Sequence, residues 1–565
     1  MKKNSTNFIN NIVRLFGVMI TLALIVPITT FSQSGNPVSI ASNNQTVPVM
    51  TTDGSGGTII TWQDKHNGKN EIFAQRMNGD GNAMWTTDGI AICVQDSNYN
   101  PIIVSDGSGG AIIAWQSYRG SATADIYAQL VNSSGAVQWT LNGVPVCVVV
   151  FEQDTIAMIS DGLGGAILTW QDYRSNNGFA DIYAQRVNTS GTMLWTANGS
   201  NICNQAAGQL GPKLVSDGGG GAFITWYDNR AGNYDIYTQL VNSAGAPQWT
   251  TNGVATCTMA TDQLKPDICS DGASGVIITW YDYRSSTDFN IYAQRVGPGG
   301  APVWVVDGIV VNNNEGYDQI DPKIVSDGLG GAIISWTDYI TGTTADIYAQ
   351  HVSSTGAMLW TATGVTICTA SGDQIKSQLV SDGNNGAYIT WEDHRNVGNS
   401  DIYAQRIASN AALNWAATGY AICTVGNDQT VPMIVSNGNL GAIVVWQDYR
   451  SGNNSDIYEV GFNTTGVIAL ENNGTMSPSE YTLSQNYPNP FNPTTKISFA
   501  LPKSSFAKLV VFDALGREME TLVNQQLNAG TYSVDFNASN FPSGVYFYNL
   551  TAGNFVSNKK MILVK

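Results

Sequence analysis

The sequence predicts an all-β protein built mostly from eight copies of one unit. Three observations carry this reading. Gly is abundant, at 59 of 565 residues, while charged residues make up only 12%, the profile of a turn-rich β protein. Trp62, Trp115, Trp170, Trp226, Trp280, Trp336, Trp391 and Trp446 head the same phrase eight times, 53 to 56 residues apart. Within each copy, Gly-rich turns separate short apolar or alternating runs.

The copy at residues 322–374 shows the unit clearly. A first strand at residues 323–326 ends in Asp-Gly-x-Gly-Gly, which supplies the positive φ of a tight hairpin. A second strand at residues 332–337 is a continuous apolar run, so both of its faces are expected to be buried. The third covers residues 346–352, and the fourth is expected to carry the second Trp, Trp360. Four short strands in about 55 residues are the blade of a β-propeller, whereas an immunoglobulin-type sandwich needs about 100 residues. Eight copies predict eight blades over residues 34–474.

The ends of the array suggest a closed ring. The eighth copy has Leu470 in place of the second Trp and lacks a Val-x-Ile-Cys segment. That segment stands instead near the N-terminus as Val38-Ser-Ile40, in line with Cys93 when each is counted back from the next Trp. An N-terminal strand completing the last blade would remove an exposed sheet edge.

The phrase at residues 183–195, ending Gly-x-x-x-Trp, resembles the tryptophan-docking blades of eight-bladed quinoprotein propellers. That resemblance implies a Trp that locks blade to blade. The vicinal Cys pair that goes with the quinone cofactor is absent from the sequence, so only the scaffold carries over.

Residues 475–480 read as a linker, and the repeat is gone from residue 481 onward. Three stretches stand out: Asn486-Tyr-Pro-Asn-Pro-Phe-Asn-Pro493, Phe512-Asp-Ala-Leu-Gly-Arg-Glu518 and Pro542-Ser-Gly-Val-Tyr-Phe-Tyr548, with the ending Lys559-Lys-Met-Ile-Leu-Val-Lys565. In order and spacing they resemble the C-terminal sorting domain of the type IX secretion system of Bacteroidota. The resemblance implies a small seven-stranded β-sandwich over residues 481–565 and the type IX machinery as a partner. It places the signal on Pro488, Pro490, Gly516, Gly544, Lys559, Lys560 and Lys565. Independently, alternating runs such as residues 508–512 and 545–550 fit an antiparallel sandwich.

Residues 1–33 read as a signal peptide, with Lys2, Lys3 and Arg14 ahead of an apolar stretch at residues 16–28. That stretch is short for a membrane span and no second one follows, so the mature chain is expected to have no transmembrane span. Residues 34–474 carry 38 acidic against 16 basic side chains, a net −22, and would repel phosphate backbones; nucleic acid is a poor partner. Of the seven Cys, six (Cys93, Cys147, Cys203, Cys257, Cys368, Cys423) recur once per copy. Equivalent positions in neighbouring blades lie too far apart for a disulfide, so they read as buried thiols. A pairing of Cys257 with Cys269 stays open.

No Ser-His-Asp set, phosphate-binding loop or metal-spaced His/Cys/carboxylate cluster is found, so no catalytic, cofactor-binding or metal residues are assigned. The three His (His66, His351, His394) are substitutions within the repeat. Asp106, Asp161, Asp217, Asp271, Asp327 and Asp382 read as Asx-turn residues. One acid per loop falls short of the 6–8 oxygens a calcium ion takes. Sets such as Asp172/Arg174/Asp181 and Asp393/Arg395/Asp401 read as ion pairs joining strands two and three. Their recurrence in nearly every blade argues against a unique glycosidase pair. The expected function is binding or structural, with a carbohydrate-active enzyme as the alternative. The candidate binding face is the loop after the second strand, where Tyr118, Tyr173, Tyr283, Tyr339 and Tyr449 recur and where a glycan or protein partner would dock.

Overall fold

The structure, a computed structural model, describes residues 35–565 except 96, 313–315, 340–341, 343, 439, 464–465, 468–470, 473–479, 504, 528–529, 539–540 and 554. The expected signal peptide and most of the expected linker lie outside the described residues.

Seven four-stranded antiparallel sheets follow one another along the chain, with an eighth to which the two-residue strand Gly466–Val467 adds a fifth strand. Blade 3 is representative, with strands Gln153–Ser160, Ala166–Asp172, Asp181–Val187 and Ser200–Cys203 in that spatial order. Blades 1 to 7 run over residues 45–93, 98–147, 153–203, 209–257, 263–312, 319–368 and 374–423. Blade 8 takes three strands from residues 429–463 and its fourth from the N-terminus, where Asn36–Ser39 pairs antiparallel with Asp456–Asn463. Each first strand lies against the first strand of the next blade, and Gln429–Ser436 of blade 8 lies against Gln45–Thr52 of blade 1. The first strands therefore form the inner wall of a closed eight-bladed propeller.

Second strands are apolar because they are covered on both faces. All eight leading Trp, from Trp62 to Trp446, are 0% exposed. Each hydrophobic cluster spans two neighbouring blades: Trp170 and Leu168 of blade 3 pack with Ile112, Ile126 and Cys147 of blade 2. The core of this module is thus a set of inter-blade layers. The second Trp completes each layer from outside. Trp139 of blade 2 donates Nε1–H to the carbonyl of Thr189 in blade 3 at 2.9 Å. Its ring lies on Gly191, where an added Cβ would come within 3.0 Å of it. Trp85, Trp195, Trp249, Trp304 and Trp360 make the same bond to the next blade.

Two sequence expectations are corrected. The fourth strand is the four-residue segment Val365–Cys368 and its equivalents; Trp360 precedes it, in a turn held by a bridge between Val352 and Met358. In the closing strand, Ser39 takes the Cys position rather than Ile40. Ser39 pairs with Ile457 as Cys93 pairs with Ile72, and Ile40 is 55% exposed. The six repeat cysteines and Cys269 are free and buried, and Cys257 and Cys269 are not bonded.

The C-terminal module has seven strands in two sheets, as the resemblance implied. One sheet holds Thr482–Leu483, Thr494–Leu501 and Gly530–Asn537; the other holds Glu518–Leu527, Ser505–Asp513, Gly544–Ala552 and Phe555–Leu563. A two-residue strand, Glu471–Asn472, adds to the first sheet beside Tyr532 and Ser533. The core includes Phe491, Phe499, Phe536, Tyr548 and Met561. The proline-rich opening is pinned to the last strand: Phe491 donates its N–H to the Ile562 carbonyl, and Asn489 Nδ2 and Gln485 Nε2 both donate to the Lys560 carbonyl. The Pro488 carbonyl accepts from Asn486 Nδ2 and Thr495 Oγ1. Both Tyr487–Pro488 and Asn489–Pro490 are cis. Gly516 occupies the turn between Asp513 and Arg517 at φ +75°, Gly544 opens a strand, Lys559 lies in the last strand, and Lys565 N donates to Ser543 Oγ.

Candidate binding face

The repeated charges are structural. In blade 3, Asp172 accepts from Trp170 Nε1 at 2.8 Å and from Arg174 Nη2 at 2.6 Å. Arg174 stacks on Tyr183, with Cζ 3.8 Å from the ring centre, and donates to Cys147 Sγ of blade 2 and to the Asn198 carbonyl. The arginine therefore joins strands two and three through Asp172 and Tyr183 and also staples the two blades. Asp181, the acid expected to share it, sits across the ladder from Asp172, and burial pushes its carboxyl up to about 6. Asp235, Asp346, Asp401 and Asp456 behave alike, with burial again the main cause.

The turn acids are also accounted for. Asp161 Oδ1 accepts from the N–H groups of Leu163 and Gly165, the expected Asx turn. Its Oδ2 takes Arg186 at 2.9 Å, and buried His351 repeats that contact on Asp327 at 2.9 Å. His66 pairs with Asp64 in the place of the stapling arginine. Among the described residues no group of three His, Cys, Asp or Glu is placed to hold a metal ion.

The face at the other end of the blades is less regular. The backbone N–H groups of Tyr118, Tyr173, Tyr283, Tyr339 and Tyr449 donate to Ser97, Glu152, Asp262, Asp318 and Asp428, residues of the links between blades. Each of these tyrosines is half-buried. Tyr118 donates its hydroxyl to Glu152 at 3.0 Å and meets Tyr99 edge to face at 5.7 Å. Tyr283 packs on Phe289 at 4.9 Å, and Gln447 Nε2 donates to the Tyr449 hydroxyl.

Further tyrosines occupy a position that sequence reasoning passed over. One residue after the leading Trp, blades 1, 2, 3 and 8 have Gln63, Gln116, Gln171 and Gln447, but blades 4 and 5 have Tyr227 and Tyr281. The glutamines cap the inner wall: Gln63, Gln171 and Gln447 accept from the N–H groups of Asn100, Gly211 and Val47 in the next blade. Tyr227 lies against Gly211, where an added Cβ would meet its ring at 2.5 Å, and touches Tyr234 edge to face at 5.2 Å. Lys265 Nζ stands 5.8 Å from the Tyr281 ring centre and pairs with Asp321 at 3.1 Å. Asp154 is bound by Gln171 Nε2 at 2.9 Å, and burial holds its carboxyl above the usual range. The substitution of Tyr for Gln in two adjacent copies was the one sequence signal for this arc.

No curated protein sequence matches the chain. Several solved structures are similar to it. They include PorZ, a surface component of the type-IX secretion system of Porphyromonas gingivalis, with 12% identity, 92% of this chain and 70% of that chain covered and a TM-score of 0.27. An endo-arabinase from Bacteroides thetaiotaomicron shows 13% identity, 45% and 92% coverage and a TM-score of 0.25. A GH93 α-L-arabinofuranosidase of Fusarium graminearum shows 10% identity, 57% and 98% coverage and a TM-score of 0.32. Among the described residues no helix is long and apolar enough to cross a membrane. Residues 485–565 match the secretion system C-terminal sorting domain family. The sandwich is therefore a type IX secretion sorting domain, and the chain that carries it is exported to the cell surface or beyond.

Proposed function

We propose that this protein is an exported, non-catalytic carbohydrate-binding propeller whose ligand rests on the face formed by the inter-blade links and the loops after the second strands. The observation that carries this reading is the break in the eightfold pattern at blades 2 to 5. Tyr99, Tyr118, Tyr173, Tyr227 and Tyr234 gather there on one face, each half-buried, while Tyr281 is buried in the core beside them. Tyr rings give broad amphipathic contact at little entropic cost, which suits the apolar faces of sugar rings. The test is a glycan array probed with the exported chain. Tyr173→Ala with Tyr283→Ala should abolish the signals, while Leu163→Ser with Leu329→Ser, on the opposite face, should leave them unchanged. The reverse pattern would place the site elsewhere.

A second reading has a specific observation behind it. Glu152 and Asp154, whose carboxyl burial raises, lie beside Tyr118 at the same face, and a pair of carboxylates is the equipment of a glycosidase. Release of shorter products from any glycan that binds, lost in Asp154→Asn with binding retained, would favour that reading.

A further inference from the structure

At one level of the inner wall, charge stands in a single sector. Four residues into the first strand, after its opening Gln or Asn, stand Val49, Ile102, Ala157, Gln378 and Met433 in five blades, but Lys213, Asp267 and Lys323 in blades 4, 5 and 6. Two residues further on, the equivalent position is uncharged in all eight blades, from Thr51 to Val435. Asp267 Oδ2 accepts the backbone N–H of Ile324 at 3.2 Å, which holds it on the edge of blade 6. Other wall lysines are neutralised, Lys265 by Asp321 at 3.1 Å and Lys376 by Glu392 at 2.9 Å. Among the described residues Lys213 and Lys323 have no ion-pair partner within 4.0 Å, and Asp267 alone stands against their two charges.

Lys213 is open to solvent yet walled in by protein. Its side chain is exposed, while burial is the main influence lowering its pKa, with Lys323 acting in the same direction and Asp267 against it. Lys213 stands between buried Pro212 and Leu214 on a first strand, so its side chain leaves the inner wall on the side away from the blade core. Gly211, two residues before Lys213, carries the ring of Tyr227. The inner-wall sector thus holds the half-buried Tyr227 ring together with an under-neutralised lysine pair, in a protein of net charge −17.

We propose that the inner wall of blades 4 to 6 binds the carboxylate of an acidic sugar, with Lys213 and Lys323 on the carboxylate and Tyr227 against a sugar face. This rests on the carbohydrate-binding reading above and names the ligand class. A densely charged polyanion is disfavoured by the acidic surround, whereas one carboxylate per sugar needs only the two lysines.

The experiment is isothermal titration of the exported chain with trigalacturonate and, in parallel, with galactotriose. Trigalacturonate should bind, weakening as salt is raised, and galactotriose should bind at least about tenfold more weakly. Lys213→Gln with Lys323→Gln should remove most of that preference, and Lys213→Arg should keep it. Unfolding curves of each variant check folding, and the salt dependence of the unsubstituted chain tests the proposal if the double variant fails to fold. Equal affinity for both sugars, salt-independent binding, or trigalacturonate binding untouched by loss of both lysines overturns the proposal. Galactotriose binding as tight as that of trigalacturonate, and lost with Tyr173→Ala and Tyr283→Ala, would keep the carbohydrate reading while sinking this one.

Discussion

Arg174 of blade 3 donates to the sulfur of Cys147 in blade 2 at 3.2 Å, and the two residue types occur together around the ring. Arg230, Arg284, Arg395 and Arg450 reach Cys203, Cys257, Cys368 and Cys423 in the same way, at 3.1 to 3.5 Å. Arg119 reaches Cys93 at 4.0 Å. Where the arginine is missing, so is the cysteine: His66 faces the blade that ends in Ser39, and the position filled by Ile340 follows the blade that ends in Asn312. Asn312 Nδ2 there donates directly to Asp338 at 3.0 Å, taking over part of the arginine's role. Burial raises the thiols, Cys203 and Cys423 to about 12 and Cys368 to about 11, so they remain protonated and unreactive.

Removing one arginine should therefore destabilise two blades. Arg284→Ala strips its partner from Asp282, a side chain with no exposed surface, and ends the stacking on Tyr292. The expected loss is on the order of 3 kcal/mol, the scale for breaking a buried pair. Cys257→Ser keeps the charge pair and should cost about 1 kcal/mol. Denaturant midpoints of the two variants check the ranking, and a costlier serine variant would contradict it.

Ring closure should depend on a short segment. Deleting residues 34–42 removes Asn36–Ser39 from the edge of blade 8 and uncovers Trp446, on which Gly35 lies. An open blade edge should lower the unfolding temperature and promote self-association. Light scattering during a thermal scan reads both effects, and a scan identical to the full chain would rule out a closing role.

The parts of this fold legible in the sequence are those repeated in it. The leading Trp, the Asp-Gly turn and the Ile-Tyr strand recur because every blade buries the same layer. The fourth strand was obscured because Trp360 is the largest apolar residue of its segment, yet it docks on the next blade, leaving only Val365–Cys368 to pair. The closing register slipped at Ile40 because Cys93 served as the reference. Cys93 lies five positions before the next first strand, whereas Ser39 and Cys147 lie six before theirs. The arginines do link strands two and three, but their reach to the preceding blade was hidden because sequence shows spacing and not direction. Lys213 and Lys323 stand in the Pro-Lys-x-Val-Ser-Asp-Gly phrase of two copies 110 residues apart, and only the inner wall brings them into one sector.

Passage across the outer membrane should depend on the C-terminal module. Removing residues 481–565 should leave the chain in the periplasm of a host with the type IX system, because the propeller contains no second copy of the sorting motif. Fractionation followed by immunoblotting reads this directly. Normal release of the truncated chain would contradict the role of the tag.

The stability of the ring seam should depend on pH through one buried acid. Glu459 of blade 8 accepts from Thr58 Oγ1 of blade 1 at 2.8 Å and pairs with Asn36 in the closing ladder, with 2% of its surface exposed. Burial pushes its carboxyl up to about 8, with Asp53 adding to the rise and Thr58 opposing it. An unfolded glutamate titrates near 4.3. Below that value both states hold the proton, and the seam has its full stability. As pH rises toward 8 the unfolded chain gives up its proton while the folded chain keeps it, so stability is progressively lost. Asp181 and its equivalents, raised to about 6, act in the same direction, so the seam is isolated by comparison with Glu459→Gln. The amide keeps the contact with Thr58 and has no proton to lose. The variant should match the unsubstituted chain near pH 4.5 and exceed it by a growing margin, on the order of 4 kcal/mol, by pH 8. Unfolding midpoints across that range measure the gap, and a gap that stays constant with pH would mean that Glu459 is not protonated in the folded ring.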